Sequence, residues 1–246
     1  MLMDKYFEAM KNVLIDIEKT QKEKIVEVSE EIAKRLSKGA AWHIMDTGHM
    51  LMFEGVGRTG GMMALKPIKI TCELDNPVRY RPSESKGAVG YDSIPGFADF
   101  VIGRSNILPG DILMVGSVSG YKHFPIDLAL KCNAIGCLTV AITTVEYSNK
   151  LKSEHPSGKR LFEACKYYID NCSNYGDTIV DVEGFEQKIC PASGISASYV
   201  MWAIQSTVVE KLLEMGLKPS VYISNHMPNA SKINGQAIDN YTKYGY

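Results

Sequence analysis

This chain has almost no net charge, no long apolar run and no paired-cysteine spacing, and each lack removes a class of protein. Its 27 Lys and Arg stand against 28 Asp and Glu, a formal charge of −1 over 246 residues. Evenly mixed charge leaves no electrostatic footprint for nucleic acid or for an anionic membrane surface. No apolar stretch approaches the ~20 residues that span a bilayer. The opening Met-Leu-Met-Asp-Lys-Tyr-Phe-Glu lacks the basic and then apolar order of a secretory leader. Six scattered cysteines show no Cys-x-x-Cys pair, so they read as reduced thiols in a cytoplasmic protein. There is no Walker-type Gly-Lys-Ser/Thr, no repeat at a fixed period and no low-complexity tract. What remains is ordinary globular composition, 45% apolar, enough for one sizeable α/β core with decorations.

Residues 4–38 carry Met10, Val13, Leu14, Ile17, Ile25, Val28, Ile32 and Leu36 at three- and four-residue steps, which predicts one or two amphipathic helices stopped near Gly39. Strands are expected over 40–45, 62–71, 111–115, 137–143 and 167–170, with another near 178–182. Helices are expected from 49 to 58, 125 to 133, 157 to 165 and 195 to 215, the last ended by Gly216 and followed by a mixed tail. Strands alternating with helices imply a doubly wound, mostly parallel sheet, whose ligands sit beyond the carboxyl ends of the strands at the reversal in strand order. Residues 72–98 are rich in Pro and Gly with few apolar pairs, the composition of a lid or binding loop.

Three loops carry candidate chemistry. Gly110 to Gly120 runs from a solid apolar strand into Gly116-Ser-Val-Ser-Gly120, with Pro125 at the head of the next helix. Small residues let backbone N–H groups close on an anion, with Ser117 and Ser119 as added donors, and the helix N-terminus favours negative charge. An ordinary strand-to-helix turn would carry the same residues. In Asp46-Thr-Gly-His49, Gly48 allows a tight exit from the strand. His49 and Glu54 there could move protons near a sugar, although Glu54 and Arg58 are also spaced as a surface ion pair. In His155-Pro-Ser-Gly-Lys-Arg160, Ser157 reads as a helix N-cap. Lys159 and Arg160 would then oppose the helix dipole unless an anion is bound.

Taken together these motifs resemble the sugar isomerase (SIS) domain superfamily, and within it a branch labelled phosphoheptose isomerase or phosphosugar-binding protein. The resemblance rests on Asp46-Thr-Gly-His49 with Glu54 and Arg58-Thr-Gly-Gly61, Gly110-Asp with Ser117-Val-Ser-Gly120, and Ala141-Ile-Thr-Thr144. It continues through His155-Pro-Ser-Gly-Lys159, Ile169-Asp-Asn-Cys172 and the glycine-terminated helix before Pro219. It implies an α/β, three-layer flavodoxin-like fold with a five-stranded, mostly parallel sheet. Residues 1–39 would form N-terminal helices packing on this domain and on a partner subunit, 40–234 the SIS domain and 235–246 a C-terminal tail. It also implies homodimers or homotetramers with active sites near subunit contacts.

On this resemblance the expected activity is aldose–ketose isomerisation of a phosphorylated sugar through an enediol, without cofactor, nucleic-acid or membrane partner. Ser117, Ser119 and Gly120, with Gly48, Thr143, Thr144, Ser157 and Lys159, would bind substrate and phosphate. Glu54 would be the base, and His49 or His155 would assist ring opening or stabilise the oxyanion. Two positions depart from the pattern: Met50 stands where a serine is common, and Lys122 where a third hydroxyl is. Val56 and Gly60 stand near the places where some phosphoheptose isomerases carry zinc-binding His and Glu, so no metal is expected. The alternatives are a non-catalytic phosphosugar-binding or regulatory protein and an amino-sugar phosphate lyase or etherase.

Overall fold

The apolar steps of the N-terminal segment form one continuous helix, α1 (Leu2–Leu36), in a computed structural model that describes residues 1–48, 50–71 and 94–246. Its buried stripe runs from Met10 through Ile17, Ile25 and Ile32 to Leu36. That stripe packs along α7 (Ser193–Glu214), where Val200, Met201, Ile204, Val208 and Leu212 are buried at matching helical spacing.

Between these helices and a second helical layer lies the sheet. Its strands are β1 (Trp42–Asp46), β2 (Leu65–Pro67), β3 (Ile112–Gly116), β4 (Leu138–Thr143) and β5 (Tyr167–Asp170). They run in the order β2-β1-β3-β4-β5, and every pairing is parallel. β3 and β4 are buried throughout, as expected for strands covered on both faces. Trp42, Ile44, Ile112, Met114 and Val140 face α1 and α7. Met45, Leu113, Val115 and Ala141 face the other layer, formed by α3 (Phe97–Arg104), α4 (His123–Ala134) and α6 (Leu161–Ala164). This is the three-layer, five-stranded parallel fold that the family resemblance implied.

The chain is completed by α2 (Met50–Gly55), α5 (Val145–Asn149), α8 (Ala230–Tyr244) and an antiparallel pair, β6 (Thr178–Val180) with β7 (Ile189–Pro191). Three expectations need correction. The strand over 62–71 shrinks to Leu65–Pro67, an edge strand that tolerates Pro67, while Met62 forms only an isolated antiparallel bridge to Val221. The helix over 157–165 shrinks to Leu161–Ala164, because Gly158 turns at φ 70° and Arg160, not Ser157, takes the N-cap place. The C-terminal segment is helical: residues 235–244 belong to α8. Asn240 Nδ2 ties that helix back to the Lys218 carbonyl at 3.0 Å and to Ser220 Oγ at 2.8 Å. Of the expected lid over 72–98, residues 72–93 lie outside the described residues, and Phe97 and Ala98 begin α3. Among the described residues no helix is long and apolar enough to cross a membrane.

Ile32 is fully buried in the α1–α7 layer. Ile32→Ala is expected to lower unfolding free energy by about 2–5 kcal/mol with an unchanged denaturant slope, as read from urea unfolding curves.

Candidate functional site

The chain passes from β1 outward to β2 and then returns to β3 on the other side of β1, so the strand order reverses between β1 and β3. The carboxyl ends of strands part at such a reversal. A cavity of about 240 Å³ lies there, walled by Asp46, Gly48, Ser117, Asn171, Asp177 and Ser193. A second hollow of about 390 Å³ shares Ser117 with it and continues along the β3–α4 loop past Thr47, Ser119, Tyr121 and Lys122.

The two lobes differ in chemistry. In the first, Asp46 ends β1 and turns back on its own loop, accepting hydrogen bonds from Gly48 N and Leu51 N at 2.9 Å each. Asp177 Oδ1 accepts from Ser193 N and Ser173 Oγ at 2.8 Å, and its Oδ2 accepts from Ser193 Oγ at 2.6 Å. A carboxylate therefore already fills the N-terminus of α7. Asn171 is buried at 1% exposure. Its Oδ1 accepts from Thr144 Oγ1 at 2.7 Å and from Ser173 N at 3.3 Å, which fixes the amide. Asn171 lines the cavity, and its Nδ2 donates to no described residue.

The second lobe is a donor surface. Gly120 stands at φ 56°, with room for no side chain: a Cβ there would lie 3.0 Å from Thr143 Oγ1 and 3.2 Å from Ser148 Oγ. This tight turn faces the N–H groups of Val118, Ser119, Tyr121 and Lys122 away from any described acceptor. The Ser119 hydroxyl is likewise without a described partner. α4 begins at the next residue without a side-chain cap, so its positive end adds to the same field. Lys122 leans outward onto Glu154 at 3.0 Å, and that carboxylate holds its ammonium above the ordinary lysine range.

The residues singled out in the sequence fall into three groups. Gly48 and Ser117 line the first lobe, Ser117 and Ser119 line the second, and Gly120 shapes the loop between the strand and the helix. Thr143 and Thr144 are fully buried beneath it: Thr143 Oγ1 donates to the Val118 carbonyl at 3.1 Å and Thr144 Oγ1 to Asn171. They brace the site without facing it. Glu54, His155, Ser157 and Lys159 border neither lobe. Glu54 Oε2 lies 3.4 Å from Arg58 Nε. His155 Nδ1 bonds Ser157 Oγ at 2.7 Å, Ser157 Oγ accepts from Lys159 N, and His155 Nε2 lies 3.6 Å from Asp127. His49 lies outside the described residues.

Asn171, Asp177 and Ser193 were not among the expected site residues. Asn171 stood in the quoted Ile169-Asp-Asn-Cys172 stretch, and Ser193 in the hydroxyl-rich head of the long helix. Asp177, a non-glycine residue at φ 63°, gave no local signal. Next to Asn171, burial pushes the Asp170 carboxyl up from the ordinary range, against the N–H groups of Cys172 and Val145. Among the described residues no group of three or more His, Cys, Asp or Glu is placed to hold a metal ion.

Together the open parallel sheet and the crevice at its switch point define an α/β protein built to take a small ligand at the strand ends. The chain belongs to the SIS domain family, whose model matches residues 5–144. Over 242 residues it is 28% identical to a UPF0309 protein of Geobacillus thermodenitrificans, covering 98% of this chain and 95% of the relative. A UPF0309 protein of Listeria monocytogenes serotype 4b is 27% identical over 244 residues, covering 98% and 96%. Among solved structures, a phosphoheptose isomerase from Francisella tularensis superposes with a TM-score of 0.52 at 9% identity, covering 85% of this chain and 96% of its own. A chain classed as a phosphosugar isomerase from Silicibacter pomeroyi gives a TM-score of 0.52 at 12% identity; 85% of this chain is covered but only 50% of that one. These two share the fold.

The suspected conflict of cations at 159–160 has a local resolution. Arg160 pairs with Glu163 at 2.7 Å and holds its carboxyl down at about 2. A carboxyl whose folded value is depressed stabilises above its unfolded value and loses that contribution as pH falls through the folded one. Glu163→Gln is therefore expected to lower Tm near neutrality. The gap from wild type should close as pH falls from the ordinary value of 4.5 toward 2 in thermal melts.

Proposed function

We propose that the protein binds a phosphorylated sugar at the switch-point cavity, with the phosphate in the donor lobe and the sugar in the carboxylate lobe. The division of chemistry on either side of Ser117 carries this reading. One lobe offers free N–H groups, a free hydroxyl and a helix N-terminus, which suit a dianion. The other offers fixed carboxylates that accept from hydroxyl groups, and the Asn171 amide that donates to them. Neither lobe alone describes a phosphosugar; joined, they do.

The finer reading is aldose–ketose isomerisation, with Glu54 moving a proton between adjacent sugar carbons through an enediol. Its support is position: Leu51 lines the sugar lobe, and Glu54 follows one turn later on α2. To serve as base the carboxylate must leave Arg58 and turn toward the cavity. The Glu54–Arg58 pair seen here favours the rival, a non-catalytic phosphosugar-binding protein. A homodimer or homotetramer in the cytoplasm is part of the same proposal. Its support is the exposed Leu2, Met3, Phe7 and Ile15 on α1 and the free cysteines among the described residues.

A thermal-shift panel of phosphorylated hexoses, pentoses, heptoses and amino sugars tests the binding reading. A true ligand at one hundred times its Kd should add about 2.7 kcal/mol to stability. Ser119→Asp should erase that shift while leaving the ligand-free Tm within about 2 °C. No shift with any phosphosugar ends the proposal.

NMR then separates the two readings. An isomerase exchanges the C2 proton of the stabilising sugar with solvent deuterium, and Glu54→Gln should lower that exchange by ~10³-fold while the thermal shift persists. Exchange at the wild-type rate in Glu54→Gln rules Glu54 out as the base. No exchange in the wild type leaves binding as the function.

A further inference from the structure

A separate cavity of about 550 Å³ lies beside the edge strand β2, bordered by His43, Lys66, Lys69, Phe100, Arg104 and Tyr241. It shares no residue with the two lobes at the switch point. Its charge is one-sided: no Asp or Glu among the described residues lines it. Elsewhere only some of the described cations are matched, as in Lys131 with Asp99, Lys150 with Glu146 and Arg160 with Glu163. Here Lys69 and Arg104 make no ion pair or hydrogen bond to a described residue.

Lys66 is the anomaly. It is half-buried, its Nζ lies 4.3 Å above the Tyr241 ring, and it has no described carboxylate partner. A charge drawn out of water without a counter-charge is costly, and burial alone pushes the Lys66 ammonium below its ordinary range. The acid that His43 contacts is already occupied. Asp111 accepts from Ala41 N and Leu108 N at 2.8 Å, and His43 Nε2 lies 3.2 Å from its Oδ2. Beside these cations Phe100 is 59% exposed, and its ring is near-parallel to that of Phe97, with centroids 6.2 Å apart and planes 17° apart. The volume falls within the range of small-molecule sites.

We infer that this cavity is a second ligand site, which takes a nucleoside phosphate. The phosphate groups meet Lys66, Lys69 and Arg104, and the flat base lies on Phe100. Inorganic phosphate would satisfy the cations but leave Phe100 exposed, and an apolar ring would leave the cations unmatched. A nucleoside phosphate combines both halves. The site does not depend on the phosphosugar reading, and it lies at the other end of β1, which carries His43 here and Asp46 at the switch point.

Lysine acylation followed by peptide mass spectrometry tests this on the full-length protein at constant ionic strength. Lys66, with its depressed ammonium, should label readily at about pH 8. ADP at roughly ten times its Kd should slow that labelling about tenfold by mass action. Inorganic pyrophosphate at the same concentration should protect less, and chloride not at all. Arg104→Gln, an exposed change, should weaken ADP protection. Phe100→Ala should reduce it to the level seen with pyrophosphate, and Ser119→Asp should leave it intact. No slowing by ADP overturns the proposal, as does protection that Arg104→Gln leaves unchanged. Pyrophosphate protecting as well as ADP overturns the nucleoside part. Loss of protection in Ser119→Asp would move the anion to the switch-point cavity and overturn the second site.

Discussion

A side chain on Gly116 would place its Cβ 2.9 Å from Asp46 Oδ1 and against the Leu51 side chain. The bare backbone at the end of β3 is what lets Asp46 fold over it and cap the turn into α2. Asp46 pairs in register with Gly116 across the two strands. The Thr47 N–H then donates to the Gly116 carbonyl at 3.0 Å, so the two loops leave the sheet as one unit. The walls of the cavity follow from this contact: Gly48 and Leu51 on one side, Ser117 and Val118 on the other. An alanine would have to displace a carboxylate that holds two N–H groups, and the crevice would lose its floor before its ligand groups.

A second layer of constraint lies behind the β3–α4 loop. Thr143 and Thr144 are hydroxyl residues at a strand end, and their side chains are spent inside the protein. Thr143 holds the Val118 carbonyl, which also accepts from Thr144 N at 3.0 Å. With the loop's carbonyl bound inward, the N–H groups of Val118, Ser119, Tyr121 and Lys122 remain for solvent or ligand, while Gly120 N donates to Ser117 Oγ at 3.3 Å. Thr144 acts on the other lobe through Asn171, whose oxygen it occupies, leaving the amide nitrogen without a described partner. Pre-setting a donor in this way removes part of the ordering cost of binding.

Local pattern revealed most of the fold. The unbroken apolar runs of β3 and β4 read as strands buried on both faces, and the switch from apolar to Ser-Gly at residue 116 marked the loop that borders both lobes. Elements stabilised by side-chain to backbone bonds were less legible. α8 is amphipathic, but what ties it down includes Asn234, which bonds both the N–H and the carbonyl of Ile223. Nothing in a sequence window announces such pairings. The same holds for Asp177: its place in the cavity depends on β6 and β7 turning the chain so that a carboxylate meets Ser193, sixteen residues on. Ser157 looked like an N-cap and instead closes a turn on His155, because Gly158 bends the chain before a helix can start.

The distribution of acids around the strand ends bears on what chemistry the site can host. Asp46 and Asp177 both border the first lobe, and each already accepts from at least two donors, which hold it in place. Carboxylates fixed in this way can orient a hydroxyl group. Glu54 is the opposite case. Its partner is one exposed arginine beyond the end of α2, and exposed pairs of this kind are typically worth about 0–1 kcal/mol. Rotating it away costs little. Of the carboxylates near the cavity, those bordering it are fixed by hydrogen bonds, and Glu54, held by one exposed pair, borders neither lobe. On the proposed reading, a sugar that drew Glu54 inward on binding would separate the isomerase from the binding protein, a side-chain rotation added to the departures at Met50 and Lys122.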